Sequence, residues 1–207
     1  MLLLFFILNF GISWLNAWGC GKTWASTHAR GGSAHFMNWM GAIMSASGFT
    51  WCYLVLVTIA GAAIPIENEE TGLSAPLLSP EMAQAVFDLG YLVIILPVLG
   101  SGIAITVASW RQFARSRSLL DGGIAGWNTY AQISNIYSAV EHVPDAFGNV
   151  TSFFGGSSKS DKKGGLIIVL LVVLAVIGGI LTTFAIIRST ARNAVLYESY
   201  QRDLKAA

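Results

Sequence analysis

The Gly21-Lys22-Thr23 tripeptide is the first stretch of this sequence whose residue types can do chemistry. It matches the end of the phosphate-binding loop G-x-x-x-x-G-K-[ST], in which backbone N–H groups and a lysine hold nucleotide phosphates. In that pattern the first glycine would fall at position 16, which is Asn16, and the preceding run is not a strand. We therefore predict no phosphate-binding loop, and we interpret Lys22 as a charge at a membrane edge.

Histidine, cysteine and serine side chains offer three further kinds of chemistry. His28 and His35 lack the helical spacing and the neighbouring carboxylates of a metal site, so we expect them to face solvent or lipid headgroups. Cys20 and Cys52 are too few for a disulfide framework and are predicted to be small packing residues. Ser101 lacks the glycine two residues before it that a nucleophile motif requires. We expect no enzymatic activity, with no catalytic residue, no metal ligand and no cofactor.

The composition assigns the chain to a class of protein. Of its 207 residues, 54% are hydrophobic and 11% are charged, and the mean hydropathy is +0.61. Soluble domains carry about 25% charged residues. The sequence therefore predicts a membrane protein, and a net charge of +1 without a basic patch predicts no nucleic-acid partner.

Apolar runs long enough to cross a bilayer of about 30 Å occur four times. The predicted fold class is an all-α integral membrane protein with four transmembrane helices and an amphipathic helical segment between the third and the fourth. The predicted units are a first helical pair at 1–66 (spans about 1–18 and 37–64), a short acidic outer loop at 67–78, a long kinked transmembrane helix at 79–120, an amphipathic segment at 121–154, a Gly/Ser/Lys linker at 155–165, and a transmembrane helix with an amphipathic tail at 166–207.

Small residues and one proline predict how these helices pack. Pro97 removes a backbone hydrogen bond in the middle of the third helix, so we predict a kink and a candidate hinge there. Glycine and serine at spacings of one to four residues let helix backbones approach closely. On this basis the predicted packing positions are Gly41, Ser45, Gly100, Gly102, Gly178 and Gly179.

The amphipathic segment carries the predicted interaction surface. We expect a break at Asp121-Gly122-Gly123, a helix after it, and a second, shorter amphipathic turn from Pro144. One helix face bears five large side chains, and the other bears Asn128, Gln132, Asn135 and His142. No Lys or Arg accompanies this helix before Glu141, so docking on protein is preferred to docking on lipid headgroups. The predicted interface residues are Trp127, Tyr130, Ile133, Tyr137 and Val140.

The charge distribution predicts a topology. With the N-terminus and the C-terminal tail outside and residues 19–35 and 111–165 in the cytoplasm, eight Lys and Arg lie inside and four outside. If 123–143 crossed instead, the tail would move inside and the ratio would become nine to three. The polar residues of that segment favour the first arrangement. We predict a multi-pass protein of a bacterial-type inner (plasma) membrane.

Two functions fit these features. The preferred one is a structural or assembly subunit of an oligomeric membrane complex, which docks through the helix at 124–143. Its expected partners are membrane lipids and either further copies of the chain or other membrane subunits. The alternative is an oligomeric channel or pore, lined by Ser, Thr and Asn side chains and gated at the Pro97 kink.

Overall fold

The computed structural model describes residues 2–67, 74–155 and 159–206, and most of these are helical. In chain order the elements are α1 (Leu2–Arg30), α2 (Gly32–Ala63), β1 (Pro65–Glu67), β2 (Ser74–Pro76), α3 (Pro80–Ser116), α4 (Leu119–Gly155) and α5 (Lys159–Ala206). Among the described residues, four helices are long and apolar enough to cross a membrane, and they lie in α1, α2, α3 and α5. The chain therefore has the helix content and composition of an α-helical multi-pass membrane protein.

The turn between α1 and α2 is shorter than predicted. Residues 19–35, expected to form a loop, are helical on both sides of a reversal at Gly31-Gly32. Both glycines have positive φ values, 62° and 63°, which side chains disfavour. The Gly31 N–H donates to the carbonyl of Thr27 at 2.9 Å and so closes the end of α1.

A small antiparallel ribbon flanks the acidic segment. In this ribbon β1 pairs with β2, and Ile66 lies opposite Ala75. The ribbon is not among the elements predicted from the sequence. After β2, Leu78 is buried, and its N–H donates to the Gly61 carbonyl at 3.0 Å. The central residues of the predicted outer loop, 68–73, lie outside the described residues. Strands of three residues are too short for a period-2 pattern to be recognised in the sequence.

The helix α2 lies at the centre of the bundle and packs against α1, α3 and α5. Two hydrophobic clusters hold these four helices together. One joins α1, α2 and α5 through Ala17, Cys20, Ala42, Phe49, Ile186 and Ile187. The other joins α2, α3 and α5 through Leu54, Ala85, Val86, Ile168, Val172 and Ala175.

Most of the predicted packing glycines lie where helices meet. A Cβ added at Gly41 would come within 2.6 Å of the Cys20 sulfur, and one at Gly179 within 2.6 Å of the Ala46 carbonyl oxygen. One at Gly178 would lie 3.2 Å from the Tyr53 ring, and one at Gly102 would collide with the Gln132 side chain. These helices therefore approach closely because the side chain is missing.

The two other predicted packing positions behave differently from each other. Ser45 is fully buried and donates to the Ser13 carbonyl at 2.8 Å, while its oxygen lies 3.2 Å from that of Thr183. It joins three helices. Gly100 is exposed, with no neighbouring atom within 4 Å of an added Cβ, so it makes no helix contact within the described chain. Gly100 lies on the outward face of α3.

The long third helix begins and ends as capping rules require. Ser79 caps it by accepting a hydrogen bond from the Met82 N–H at 3.2 Å. It ends at Arg117, which is left-handed with φ 54°. The helix continues through Pro97, and Ser101 Oγ donates to the Pro97 carbonyl at 2.6 Å.

The helix α4 begins earlier and runs longer than predicted. The break falls just before Leu119, and the Asp121-Gly122-Gly123 stretch lies within the helix. Gly122 is needed there because an added Cβ would lie 2.9 Å from the Phe113 ring. The separate amphipathic turn predicted after Pro144 is also wrong, since α4 continues through this proline to Gly155.

The described residues of the predicted linker at 155–165 are helical. Residues 156–158 lie outside the described residues, and α5 has already begun at Lys159. Gly165 is buried beside Phe154, and an added Cβ would lie 2.9 Å from that ring. From there α5 continues as one helix to Ala206 and includes the predicted amphipathic tail.

Candidate functional site

The helix α4 lies antiparallel to α3 along almost the whole length of both. Near its start Gly122 meets Phe113, and near its end the Asn149 amide donates to Asp88 at 2.9 Å. The contacts between these ends come in reverse order along α3: Thr106 Oγ1 donates to the Asn128 carbonyl, Gln132 Nε2 donates to the Leu99 carbonyl, and the Tyr91 hydroxyl lies 3.3 Å from Ser138 Oγ. Every level of α3 therefore has α4 beside it.

A regular seam explains this pairing. The buried residues of α4 are Ala125, Gln132, Ala139 and Ala146, which recur every seven positions. A seven-residue repeat keeps one helix face toward its partner, and small residues allow close approach. Asn128 and Asn135 flank the seam and are half-buried. Much of the predicted polar face of α4 is thus turned toward α3 and away from the surroundings.

Gln132 is the most buried polar side chain of α4, with 6% of its surface exposed. Its amide nitrogen bonds the Leu99 carbonyl at 3.3 Å, and its amide oxygen lies against Gly102. Within the described residues that oxygen has no hydrogen-bond partner. The α3–α4 seam therefore depends on Gly102 to admit this side chain.

The opposite face of α4 is exposed and carries the five predicted interface residues. Their exposed fractions run from 61% for Ile133 to 73% for Val140. The Trp127 and Tyr130 rings lie side by side, with centroids 5.9 Å apart. We call this surface the α4 outer face, and its residues are Trp127, Tyr130, Ile133, Tyr137 and Val140.

The level of this face along the bundle follows from the seam. Gln132 bonds Leu99, which lies at the middle of the uncharged stretch 89–110 of α3. Tyr130 and Ile133 are one or two residues from Gln132, or about 3 Å or less along the axis at ~1.5 Å per residue. Among the described residues, the Tyr130 and Tyr137 hydroxyls have no hydrogen-bond partner. The Tyr130 hydroxyl is therefore level with the middle of the uncharged stretch of α3, whereas Tyr137 lies toward the Leu89 end of that stretch, because its neighbour Ser138 contacts Tyr91.

A polar cavity of about 540 Å³ lies near the start of α3 and the end of α4. Asp88 is its most buried acid, 9% exposed, and accepts hydrogen bonds from Gln84 Nε2 at 3.0 Å and Asn149 Nδ2 at 2.9 Å. Asp88 is not among the site residues predicted from the sequence. The Gln84-Asp88 spacing of four residues was an available signal, but Asn149 comes from a distant part of the chain. The cavity is lined by Trp51, Leu54, Gln84, Phe87, Asp88, Tyr91, His142, Asp145, Ala146 and Asn149.

The histidine pair of the α1–α2 turn packs among aromatic rings. His28 Nδ1 lies 3.5 Å from His35 Nε2, which also accepts a hydrogen bond from Trp39 Nε1 at 3.1 Å. The His35 ring also packs edge-on against Trp24, with centroids 5.1 Å apart. Among the described residues, no group of three His, Cys, Asp or Glu side chains is arranged to hold a metal ion.

Three other residues considered from the sequence have clear surroundings. Lys22 Nζ lies 3.8 Å from the centroid of the Trp18 ring, so its contact is a cation–π interaction. Cys20 and Cys52 are both buried, and both are free thiols. Cys20 belongs to the cluster that joins α1, α2 and α5.

By helix length and composition the chain belongs to the multi-pass membrane class. Comparison of the chain with protein-family models, with curated protein sequences and with solved structures gives no match.

Proposed function

We propose that this protein is a structural or assembly subunit of an oligomeric membrane complex, and that the α4 outer face is its main interface. The observation that carries the proposal is the unpaired hydroxyl of Tyr130, level with the middle of the uncharged stretch of α3. A polar group without a partner in hydrocarbon costs roughly 2–7 kcal/mol, depending on the reference state. A neighbouring protein surface can supply partners that lipid tails cannot.

The proposal includes a topology with five crossings. If α3 crosses the membrane, α4 crosses beside it in the opposite direction, because contacts join the two helices at both ends. Gly164, near the start of α5, lies close to Met82 at the start of α3, with 3.7 Å between an added Cβ and the Met82 methyl carbon. Further along α5, Ile187 and Thr190 lie against Gly21 of α1. In the proposed topology the C-terminal tail lies on the same side as the α1–α2 turn, whereas the four-crossing prediction puts it on the opposite side.

The charges of the sequence support this arrangement independently. With the N-terminus outside and five crossings, nine of the twelve Lys and Arg residues lie on the cytoplasmic side. Eight of the eleven acids lie on the outer side. An excess of Lys and Arg on the cytoplasmic side is typical of inner-membrane proteins. The nine inner cations are Lys22, Arg30, Arg111, Arg115, Arg117, Arg188, Arg192, Arg202 and Lys205.

The five-crossing topology also answers the objection raised by the polar residues of α4. Asn128, Gln132 and Asn135 oppose a lipid-facing span, but α3 covers Gln132 and half-covers the two asparagines. Polar residues between paired transmembrane helices contribute about 0.6 kcal/mol each where they have been measured. The segment is therefore unsuitable as a solitary span and suitable as the second member of a helix pair.

Truncation of the outer face tests the proposed function. We expect Trp127→Ala with Tyr137→Ala to dissociate the purified assembly, since aromatic anchors at interfaces often cost ~2 kcal/mol or more on truncation. The readout is mass by light scattering in detergent, together with the composition of the purified complex. The matched control is Leu170→Ala with Leu174→Ala on α5, where the side chains are 54% and 52% exposed. An unchanged assembly in the α4 double variant would overturn the proposal.

The alternative function, an oligomeric channel or pore gated at the Pro97 kink, draws on the same face. Ser134 and Tyr137 are exposed on α4, so several copies around an axis would present hydroxyl groups to a shared path. Pro97 is itself exposed on α3. Ion conductance in reconstituted bilayers separates the two functions. An assembly subunit gives no ion conductance. A channel gated at Pro97 gives currents that Pro97→Ala alters.

A further inference from the structure

The cavity beside Asp88 combines aromatic rings with carboxylates and is separate from the α4 outer face. It lies between α2, α3 and α4, near the start of α3 and the end of α4. We propose that this cavity binds an ammonium group, carried either by a phospholipid headgroup or by a free small amine.

Three aromatic rings supply the first part of the argument. Trp51 comes from α2, whereas Phe87 and Tyr91 come from α3, and all three are only partly buried. The faces of such rings carry negative charge density and attract ammonium groups within about 6 Å. Three aromatic side chains from two helices therefore line the cavity, and their ring faces can attract an organic cation.

The carboxylates supply the second part. Asp88 and Asp145 both line the cavity, and the described lining residues include no Lys or Arg. Asp88 is nine-tenths buried, and its two partners, Gln84 and Asn149, are neutral amides. A buried carboxylate without a counter-charge is costly, and a cation in the cavity offsets that cost. His142 stands exposed beside the cavity, edge-on to Tyr91 with ring centroids 6.3 Å apart.

The lining selects an organic cation over a metal ion. A bound metal ion usually has at least three protein ligands or retains several waters. No such group of His, Cys, Asp and Glu occurs in the part of the chain that the structure describes. A volume of about 540 Å³ with three rings instead suits a substituted ammonium group.

The position of the cavity makes a lipid headgroup the first source to test. Asp88 directly precedes the uncharged stretch 89–110, so the cavity is level with the outer end of the span. Headgroup ammonium groups lie at this level of a bilayer. This step rests on the proposed membrane topology, whereas the ammonium chemistry of the lining does not.

The test uses the purified full-length protein in detergent, with its thermal unfolding midpoint as the readout. The probes are short-chain phosphatidylethanolamine, short-chain phosphatidylglycerol and free ethanolamine. A ligand that binds only the folded protein raises the midpoint as its concentration exceeds the Kd. We expect phosphatidylethanolamine to raise it and phosphatidylglycerol to leave it unchanged. An equal effect of free ethanolamine identifies a soluble amine as the ligand, and a smaller or absent one identifies the headgroup.

Two variants and one control make the test specific. Asp88→Asn keeps the shape of the side chain and should weaken phosphatidylethanolamine binding at least tenfold. The control, Glu141→Gln, removes an exposed acid from the same end of α4 and should bind as the native protein does. Trp51→Leu removes one ring while keeping the carboxylate, and it should also weaken binding. This variant supplies the test if Asp88→Asn does not fold. No shift with any ammonium probe, or equal binding by Asp88→Asn, overturns the proposal. Neither result bears on the assembly of the Trp127 and Tyr137 double variant.

Discussion

The outward faces of α4 and α5 present two different surfaces to whatever surrounds the bundle. Between Leu166 and Leu181 the large exposed side chains of α5 are all aliphatic, and all are at least 41% exposed. The α4 outer face is as exposed but carries an indole and two phenols. Lipid tails satisfy the first surface completely. The second surface contains hydrogen-bonding groups that lipid tails leave unpaired, which is why we assign it to a protein partner.

The two helices also differ in how much of each is held by the rest of the chain. The helix α5 packs against α1, α2 and, to a smaller extent, α3, and it contributes to both hydrophobic clusters. The helix α4 packs almost entirely against α3. A helix with one neighbour leaves most of its circumference free. The bundle therefore presents α4 at its edge, where a second molecule can reach it.

Labelling of the C-terminal tail gives the largest expected effect, because the outcome is all or none. The direction of α5 depends on whether α4 crosses the membrane. We expect a cysteine at Tyr200 and one at Ser116, in a chain whose native cysteines are alanine, to react with an impermeant thiol reagent only from the cytoplasmic side. A cysteine at Ala75 should react only from outside. Labelling of positions 200 and 116 from opposite sides would contradict the five-crossing topology and with it the depth assigned to the outer face.

Substitution at the α3–α4 seam should give the next largest effect. A side chain at Gly102 collides with Gln132, so Gly102→Leu should destabilise the helix pair by about 1–3 kcal/mol through overpacking. Gly100→Leu is the matched control, two residues away with no atom within 4 Å of an added Cβ, and it should change stability little. Thermal unfolding in detergent measures both variants.

A second change at the same place identifies the cause of that effect. Gln132→Ala in the Gly102→Leu background should restore part of the lost stability by making room for the leucine. Equal destabilisation at positions 100 and 102 would mean that α4 is not held against α3 at this level. The contrast between a well-held α5 and an α4 held by one seam would then need revision.

Several features of this molecule were readable from the sequence because they depend on local patterns. Long uncharged runs, the Ser79 cap and the three-and-four spacing of the outer face are all contained within one helix, and the structure has helices at those positions. The spacing of these five side chains along one helix face can therefore be predicted without knowledge of the partner helix.

The parts that were missed depend on contacts between distant segments. The polar residues of α4 argue against a membrane span unless a partner covers them, and the sequence alone does not pair Gln132 with Leu99, 33 residues away. The cavity was missed for the same reason, since Asp88 and Asn149 are 61 residues apart. Gly100 and Gly102 look alike in sequence, and only the position of α4 separates them.

Removal of the two phenolic hydroxyls gives the smallest expected effect, but its sign decides the comparison between the two faces. Tyr130→Phe and Tyr137→Phe keep the rings and delete one hydrogen-bonding group each. If the outer face is covered by protein, each hydroxyl is paired across the interface, and its loss should weaken assembly by about 0.5–1.5 kcal/mol, the usual net value of a hydrogen bond.

If the face meets lipid tails as α5 does, the same deletions remove an unpaired polar group and should leave the protein equally or more stable. The measurement is the dissociation constant of the assembly in detergent, read beside the thermal midpoint of the separated subunit. Leu170→Val on α5 is the control, because it removes one exposed methylene where no partner is expected. Weaker assembly with an unchanged subunit midpoint places protein on the α4 outer face. Unchanged assembly with a raised midpoint would make the α4 and α5 surfaces equivalent and return the outer face to lipid.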